Sequence, residues 1–223
     1  MRETLKGDRL GYKSVYRRNL PHIQPLNTTL FLTFRLADSL PKEVLFQMAE
    51  KRRMLETSPK FAKMASESAF AELARRHFAM LENCLNKARV GPTWLLDSRI
   101  ASVVAEALHY RDGKKYRLDA YSIMPNHVHV VFAPSLNKGQ PVALSSIMHS
   151  LKRNTAKLAN RILERTGAFW EHESFDHYIR NQKEFNRIVK YVLQNPVKAG
   201  LVKTWNEWPW NYVRESLGIK DAN

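Results

Sequence analysis

The spacing of apolar residues changes several times along the chain, and each change marks a new element. Residues 28–36 (TTLFLTFRL) are β-branched and aromatic, which predicts a buried strand. Residues 41–89 are strong helix formers broken at Ser58-Pro59, so they predict two helices in a hairpin or an irregular pair. Beyond Gly91-Pro92, Asp97 or Ser98 caps a helix running to about residue 110, with Ile100, Val103, Val104, Ala107 and Leu108 on one face. A turn at residues 111–114 then leads into strand material at 116–123 and 127–132, separated by Met124-Pro125-Asn126.

An amphipathic helix is expected over 145–165, ended by Thr166-Gly167. It turns Ile147, Met148, Leu151, Leu158 and Ile162 to the core and sets Lys152, Arg153, Lys157, Arg161 and Arg165 around the remainder. A last helix at about 182–194 carries Phe185, Ile188, Val189, Val192 and Leu193 as its apolar stripe. Strands interleaved with helices through irregular connections predict an α+β fold: a mostly antiparallel sheet flanked by helices, with a helical elaboration at 41–89. Residues 1–27, basic and turn-rich, read as an arm leading into the fold.

Length and composition narrow the picture. With 223 residues, 44% hydrophobic and 10% aromatic, the chain can bury one good core, so one domain over 1–223 is expected. No apolar run reaches the length of a membrane span, and the N-terminus lacks the apolar stretch of a secretory signal. With Cys84 the only cysteine, an intramolecular disulfide is excluded and a thiolate zinc site disfavoured; the cytoplasm is the expected compartment. Charge adds a function class, since 36 Lys+Arg against 21 Asp+Glu leaves +15 and a pI near 10.0. Such an excess favours polyanions, with nucleic acid ahead of an anionic membrane because no basic amphipathic anchor is visible.

The candidate chemistry begins with HVHVVF at 127–132. On a strand, His127, His129 and Val131 share one face while Val128, Val130 and Phe132 share the other, which sets the imidazoles roughly 6.7 Å apart along the strand. Two imidazoles can converge on one divalent ion, but a useful site needs a third ligand; alone, the pair is equally compatible with two satisfied histidines beside the core. In the 182–194 helix Tyr191 and Asn195 stand four residues apart on one side. An amide oxygen is a hard ligand suited to Mg²⁺ or Mn²⁺ and a phenol is a nucleophile, although a half-buried aromatic and a helix end before Pro196 explain the same residues. Tyr178 is a competing nucleophile, and His172, Glu173 and His177 are further polar candidates.

Three stretches carry a resemblance: YSIMPNHVHVVF (121–132), FWEHESFDHYIRN (169–181) and YVLQNPVKAGLV (191–202). In order and spacing they resemble signatures of the REP-associated tyrosine transposases, within the single-tyrosine HUH transposase superfamily; WNEWPWNY (205–212) resembles the aromatic tail of that family. The resemblance covers about 95–212, and 41–89 is longer than the corresponding connection. It implies an HUH endonuclease fold, ferredoxin/RRM-like, with His127 and His129 as metal ligands, Asn195 completing the site and Tyr191 as nucleophile. It also implies single-stranded DNA cleavage through a 5′-phosphotyrosine, on hairpins of repetitive extragenic palindromes.

The basic residues Lys152, Arg153, Lys157, Arg161, Arg180 and Lys198 are the candidate phosphate contacts, with Arg165 and Lys183 nearby. Trp170, Trp205, Trp208 and Trp210 suit either packing or base stacking. Two other readings compete. A histidine-triad hydrolase needs a third alternate histidine where Val131 stands, and a binding module without turnover is disfavoured by a tyrosine at 191.

Overall fold

A computed structural model describes residues 15–17, 21–58, 66–87 and 91–219. Part of the basic arm (1–14 and 18–20), the connection that follows the expected break at Ser58-Pro59 (59–65) and the end of the helical elaboration (88–89) lie outside the described residues. Five strands form the main sheet: β1 (Thr29–Leu36), β2 (Tyr116–Ile123), β3 (His127–Pro134), β4 (Trp170–Ile179) and β5 (Asn211–Val213). Their order is β4-β1-β3-β2-β5 and every neighbouring pair is antiparallel. Among the described residues the α-helices are α1 (Lys42–Glu56), α2 (Ser66–Lys87), α3 (Ser98–Arg111), α4 (Leu144–Ile162), α5 (Gln182–Leu193) and the short α6 (Asn195–Lys198). With α3 between β1 and β2 and α4 between β3 and β4, the chain follows the β-α-β-β-α-β plan of ferredoxin-like folds, and the expected α+β sheet flanked by helices is what forms.

Each face of the sheet has its own core, because strand residues alternate between faces. On one face Leu30, Leu32, Phe34, Val128, Val130 and Phe132 pack under α3 and α4. On the other, Phe31, Val131, Phe175 and Ile179 pack under α1, α2 and α5. Asp97 caps α3 by accepting from the Arg99 amide, as its position before the apolar stripe predicts. The two helices expected in 41–89 form, and they lie over the second face of the sheet.

Two expectations change, and one element appears that the sequence pattern did not indicate. Leu158, expected in the core, is 43% exposed because α4 meets the sheet through Leu144, Ile147, Leu151 and Ala159, which leaves position 158 on its outer side. That helix ends at Ile162, earlier than Thr166-Gly167, with Glu164 in the left-handed region at φ 51°. The stretch 170–179 forms a ten-residue edge strand whose polar residues mask any clean alternation. Among the described residues no helix is long and apolar enough to cross a membrane.

Candidate active site

The register of β3 against β1 sets Thr33 opposite His129 and Arg35 opposite His127, on the face covered by α2 and α5. Both histidines are buried, and their Nε2 atoms face each other at 3.0 Å. Each ring is held from behind through Nδ1. His127 Nδ1 lies 2.6 Å from Asn126 Oδ1, whose own amide donates to the Leu85 carbonyl. Because Asn126 Oδ1 can only accept, His127 carries its proton on Nδ1 and presents an Nε2 lone pair. His129 Nδ1 lies 2.8 Å from Thr33 Oγ1. Such Nδ1 partners are the usual way a protein orients ligating imidazoles.

A third group meets the pair from a direction that the strand pattern does not indicate. Glu82 on α2 places Oε1 3.3 Å from His129 Nε2, and candidate ligand atoms of Glu82, His127 and His129 all lie within 4.8 Å of one another. Burial alone would raise the Glu82 carboxyl; its interactions with His129, and more weakly His127, outweigh this and hold it below the usual carboxylate range. Burial, with His129 beside it, pushes His127 down to about 3, so its imidazole is neutral at pH 7. A neutral imidazole with an Nε2 lone pair, a second imidazole and an ionised carboxylate are donors suited to a divalent cation. Glu82 escaped the sequence reading although it left one signal, a carboxylate placed one turn from Phe78 and between Leu81 and Leu85 on the inward face of α2.

Tyr191 on α5 reaches the same place, its ring centroid 5.7 Å from that of His129 and 6.0 Å from those of Phe31 and Phe78. Its hydroxyl and Glu82 Oε2 are both buried outside hydrogen-bond geometry, with the Glu82 and Asn195 side chains neighbouring the phenol. Burial, then the negative charge of Glu82, pushes the phenol well above its ordinary value. Asn195 is fully buried at the start of α6; its Nδ2 donates to the Tyr191 carbonyl and its Oδ1 accepts from Asn86 Nδ2 at 3.4 Å. Tyr178 pairs with Leu30 and packs with the opposite core, so the sheet separates it from the histidine pair. His177 instead bonds Glu184, and His172 is exposed.

The candidate phosphate contacts divide. Lys152 Nζ is fastened inside the fold, donating to the carbonyls of Glu171 and His172 and to Ser174 Oγ. Arg153, Lys157 and Arg161 are exposed on α4, on the face opposite the histidines. A cleft of about 680 Å³ separates α4 from β4, with His149, Lys152, Arg153 and His172 in its wall. Arg180 is tied to Glu184, while Lys198 sets its ammonium 4.7 Å from the Tyr191 ring centroid. Trp170 Nε1 donates to Thr155 and Trp208 Nε1 to the Ile123 carbonyl, which makes both part of the packing.

Residues 91–195 match the family model described as Transposase IS200 like, a span that holds His127, His129, Tyr191 and Asn195 and omits Glu82. The REP-associated tyrosine transposase of Escherichia coli K12 is 28% identical over 101 residues, covering 44% of this chain and 54% of that protein. The chain resembles the REP-associated tyrosine transposases. A putative member from Haemophilus influenzae is 26% identical over 98 residues, covering 41% of this chain and 56% of its own. The aligned part thus spans about half the length of these curated relatives. A solved REP-associated tyrosine transposase bound to a REP hairpin aligns over 88% of this chain and 80% of its own, with a TM-score of 0.49 and 18% identity.

Proposed function

We propose that this protein is a metal-dependent endonuclease and strand transferase for single-stranded DNA, acting through a Tyr191 phosphotyrosine on hairpins of repetitive extragenic palindromes. The observation that carries the reading is the convergence of Tyr191 from α5 and the His127/His129 pair from β3 on one buried point. The family match over 91–195, the names of the relatives and the net charge of +15 support a transposase-like, DNA-directed role. Bound there, Mg²⁺ or Mn²⁺ would supply charge stabilisation to the phosphoryl oxygens.

The residues divide the work. His127 and His129, oriented by Asn126 and Thr33, would hold the ion with an oxygen ligand from Glu82 or Asn195. The Tyr191 oxygen attacks phosphorus while the P–O3′ bond breaks, giving a 5′-phosphotyrosine and a free 3′-hydroxyl. The phenol gives up its proton and the departing 3′-oxygen gains one. Burial and the charge of Glu82 raise the phenol well above its ordinary value, so the Tyr191 phenolate needs positive charge beside it, which a bound cation would supply. Phosphotyrosine conserves the energy of the phosphodiester, so a strand with a 3′-hydroxyl reverses the step and no high-energy cofactor is needed.

The test is covalent capture. A hairpin oligonucleotide with single-stranded flanks, incubated with Mn²⁺, should give a protein–DNA adduct that maps to Tyr191 by mass spectrometry. Tyr191→Phe should bind the hairpin as tightly and form none. An adduct at Tyr178, or one that persists in the Phe variant, would overturn the assignment. Tight binding with no adduct on any hairpin would favour a DNA-binding module that has lost turnover.

A further inference from the structure

We propose that Glu82, from the helical insertion that covers the sheet, is the third protein ligand of the metal site. This rests on the metal-dependent reading above and goes beyond it, since Glu82 lies outside the 91–195 span that matches the family and comes from the helix pair that lengthens this chain.

Two side-chain oxygens are candidates for the third ligand, and they are differently engaged. Glu82 presents Oε1 to His129 Nε2 at 3.3 Å and keeps Oε2 buried outside hydrogen-bond geometry, with the Tyr191 side chain as its neighbour. A buried carboxylate oxygen without a donor is costly unless something positive meets it, and an ion between the two Nε2 atoms and this carboxylate would do so. Asn195 has its amide nitrogen on the Tyr191 carbonyl and its oxygen turned to Asn86. A carboxylate is also the stronger ligand for Mg²⁺ and Mn²⁺, and it brings the only negative charge to the set.

The insertion is fixed to the site by more than this one residue. Asn86, one turn after Glu82, donates both to Glu82 Oε1 at 3.0 Å and to Asn195 Oδ1. The Leu85 carbonyl accepts from Asn126, the residue that orients His127. Leu81 and Leu85 anchor the same turn in the core beside Val131 and Val192. Helix α2 is therefore fixed to the start of β3 at Leu85 and Glu82, and to α6 at Asn86. That precision suits a ligand, whereas a helix that only shielded the sheet would need none of these polar contacts.

Mn²⁺ binding to the full chain, measured by titration calorimetry and by the loss of the free-ion electron paramagnetic resonance signal, tests the assignment without any cleavage step. Glu82→Ala should weaken Mn²⁺ by about tenfold or more, as removal of a ligand does. Glu82→Gln keeps the shape and guards against misfolding; it should lose several-fold, and Asn195→Ala should lose less than either. Circular dichroism would confirm that each variant is folded. If the wild type binds Mn²⁺ and both Glu82 variants bind it equally well, the assignment falls while the metal-dependent reading stands. If the wild type binds no Mn²⁺ with or without hairpin DNA, both fall.

Discussion

Glu184 shows how much one side chain can organise in the first turn of α5. Its Oε2 accepts from the amide and Nε of Arg180, and its Oε1 accepts from Nη2 of Arg180 and of Arg187 and from His177 Nε2. These donors, Arg180 first, hold the carboxyl at about 2 against an ordinary 4.5. A carboxyl lowered on folding stabilises the folded state above its ordinary value and loses that contribution as pH falls toward about 2. Glu184→Gln should therefore cost about 1–2 kcal/mol at pH 7, discounted because both arginines are largely exposed. Thermal melts should show the gap to wild type closing between pH 4.5 and 2; a gap of constant size would remove the charge argument. Single residues also mark the limit of sequence reading here. His127 and His129 are legible because a two-residue period displays them beside an apolar partner set. Glu82 is not, because its role depends on α2 folding back over β3, which no local spacing encodes.

At the scale of elements, α4 carries an amphipathic pattern that is read correctly in outline and incorrectly at one position. Its cations have two fates, which the sequence does not separate: Lys152 anchors β4 through backbone carbonyls, while Arg153, Lys157 and Arg161 stay exposed. Reversing charge at Arg153, Lys157 and Arg161 together should weaken hairpin binding and flatten its dependence on salt. Each lost phosphate contact removes about 0.7–0.9 from the log–log slope. Mn²⁺ affinity should not change, since α4 and the histidines occupy opposite faces. An unchanged slope would mean that DNA lies elsewhere. Lys152 is left out of this set because its reversal would place a carboxylate among carbonyl oxygens and disturb the edge strand. That edge strand, β4, was itself recognisable only as a stretch resembling a family signature. Polar residues along it and a register shift between Phe34 and Leu36 erase the alternation that would otherwise reveal a strand.

For the whole molecule, the two parts proposed to handle DNA are separated by the sheet. The cleft and exposed cations of α4 lie over one face, and Tyr191 with the histidine pair lies beneath the other. The protein chain makes the same passage: it leaves α4, runs along β4 at the sheet edge and turns through Asn181, the cap of α5, to the second face. A DNA strand held by α4 and cut at Tyr191 has to round this edge, a path on the order of 20 Å given the spacing of packed layers. Binding and cleavage should therefore depend differently on the single-stranded spacer between hairpin and scissile phosphate. In a series of oligonucleotides with one hairpin and spacers of increasing length, the dissociation constant should hardly vary, because the hairpin supplies the phosphate contacts. Tyr191 adduct formation should be absent for the shortest spacers and appear above a minimum length. Adduct yield that tracks binding at every spacer length would show that hairpin and scissile strand meet the same face, and would move the hairpin contact away from α4 to the surface around α5 and Lys198.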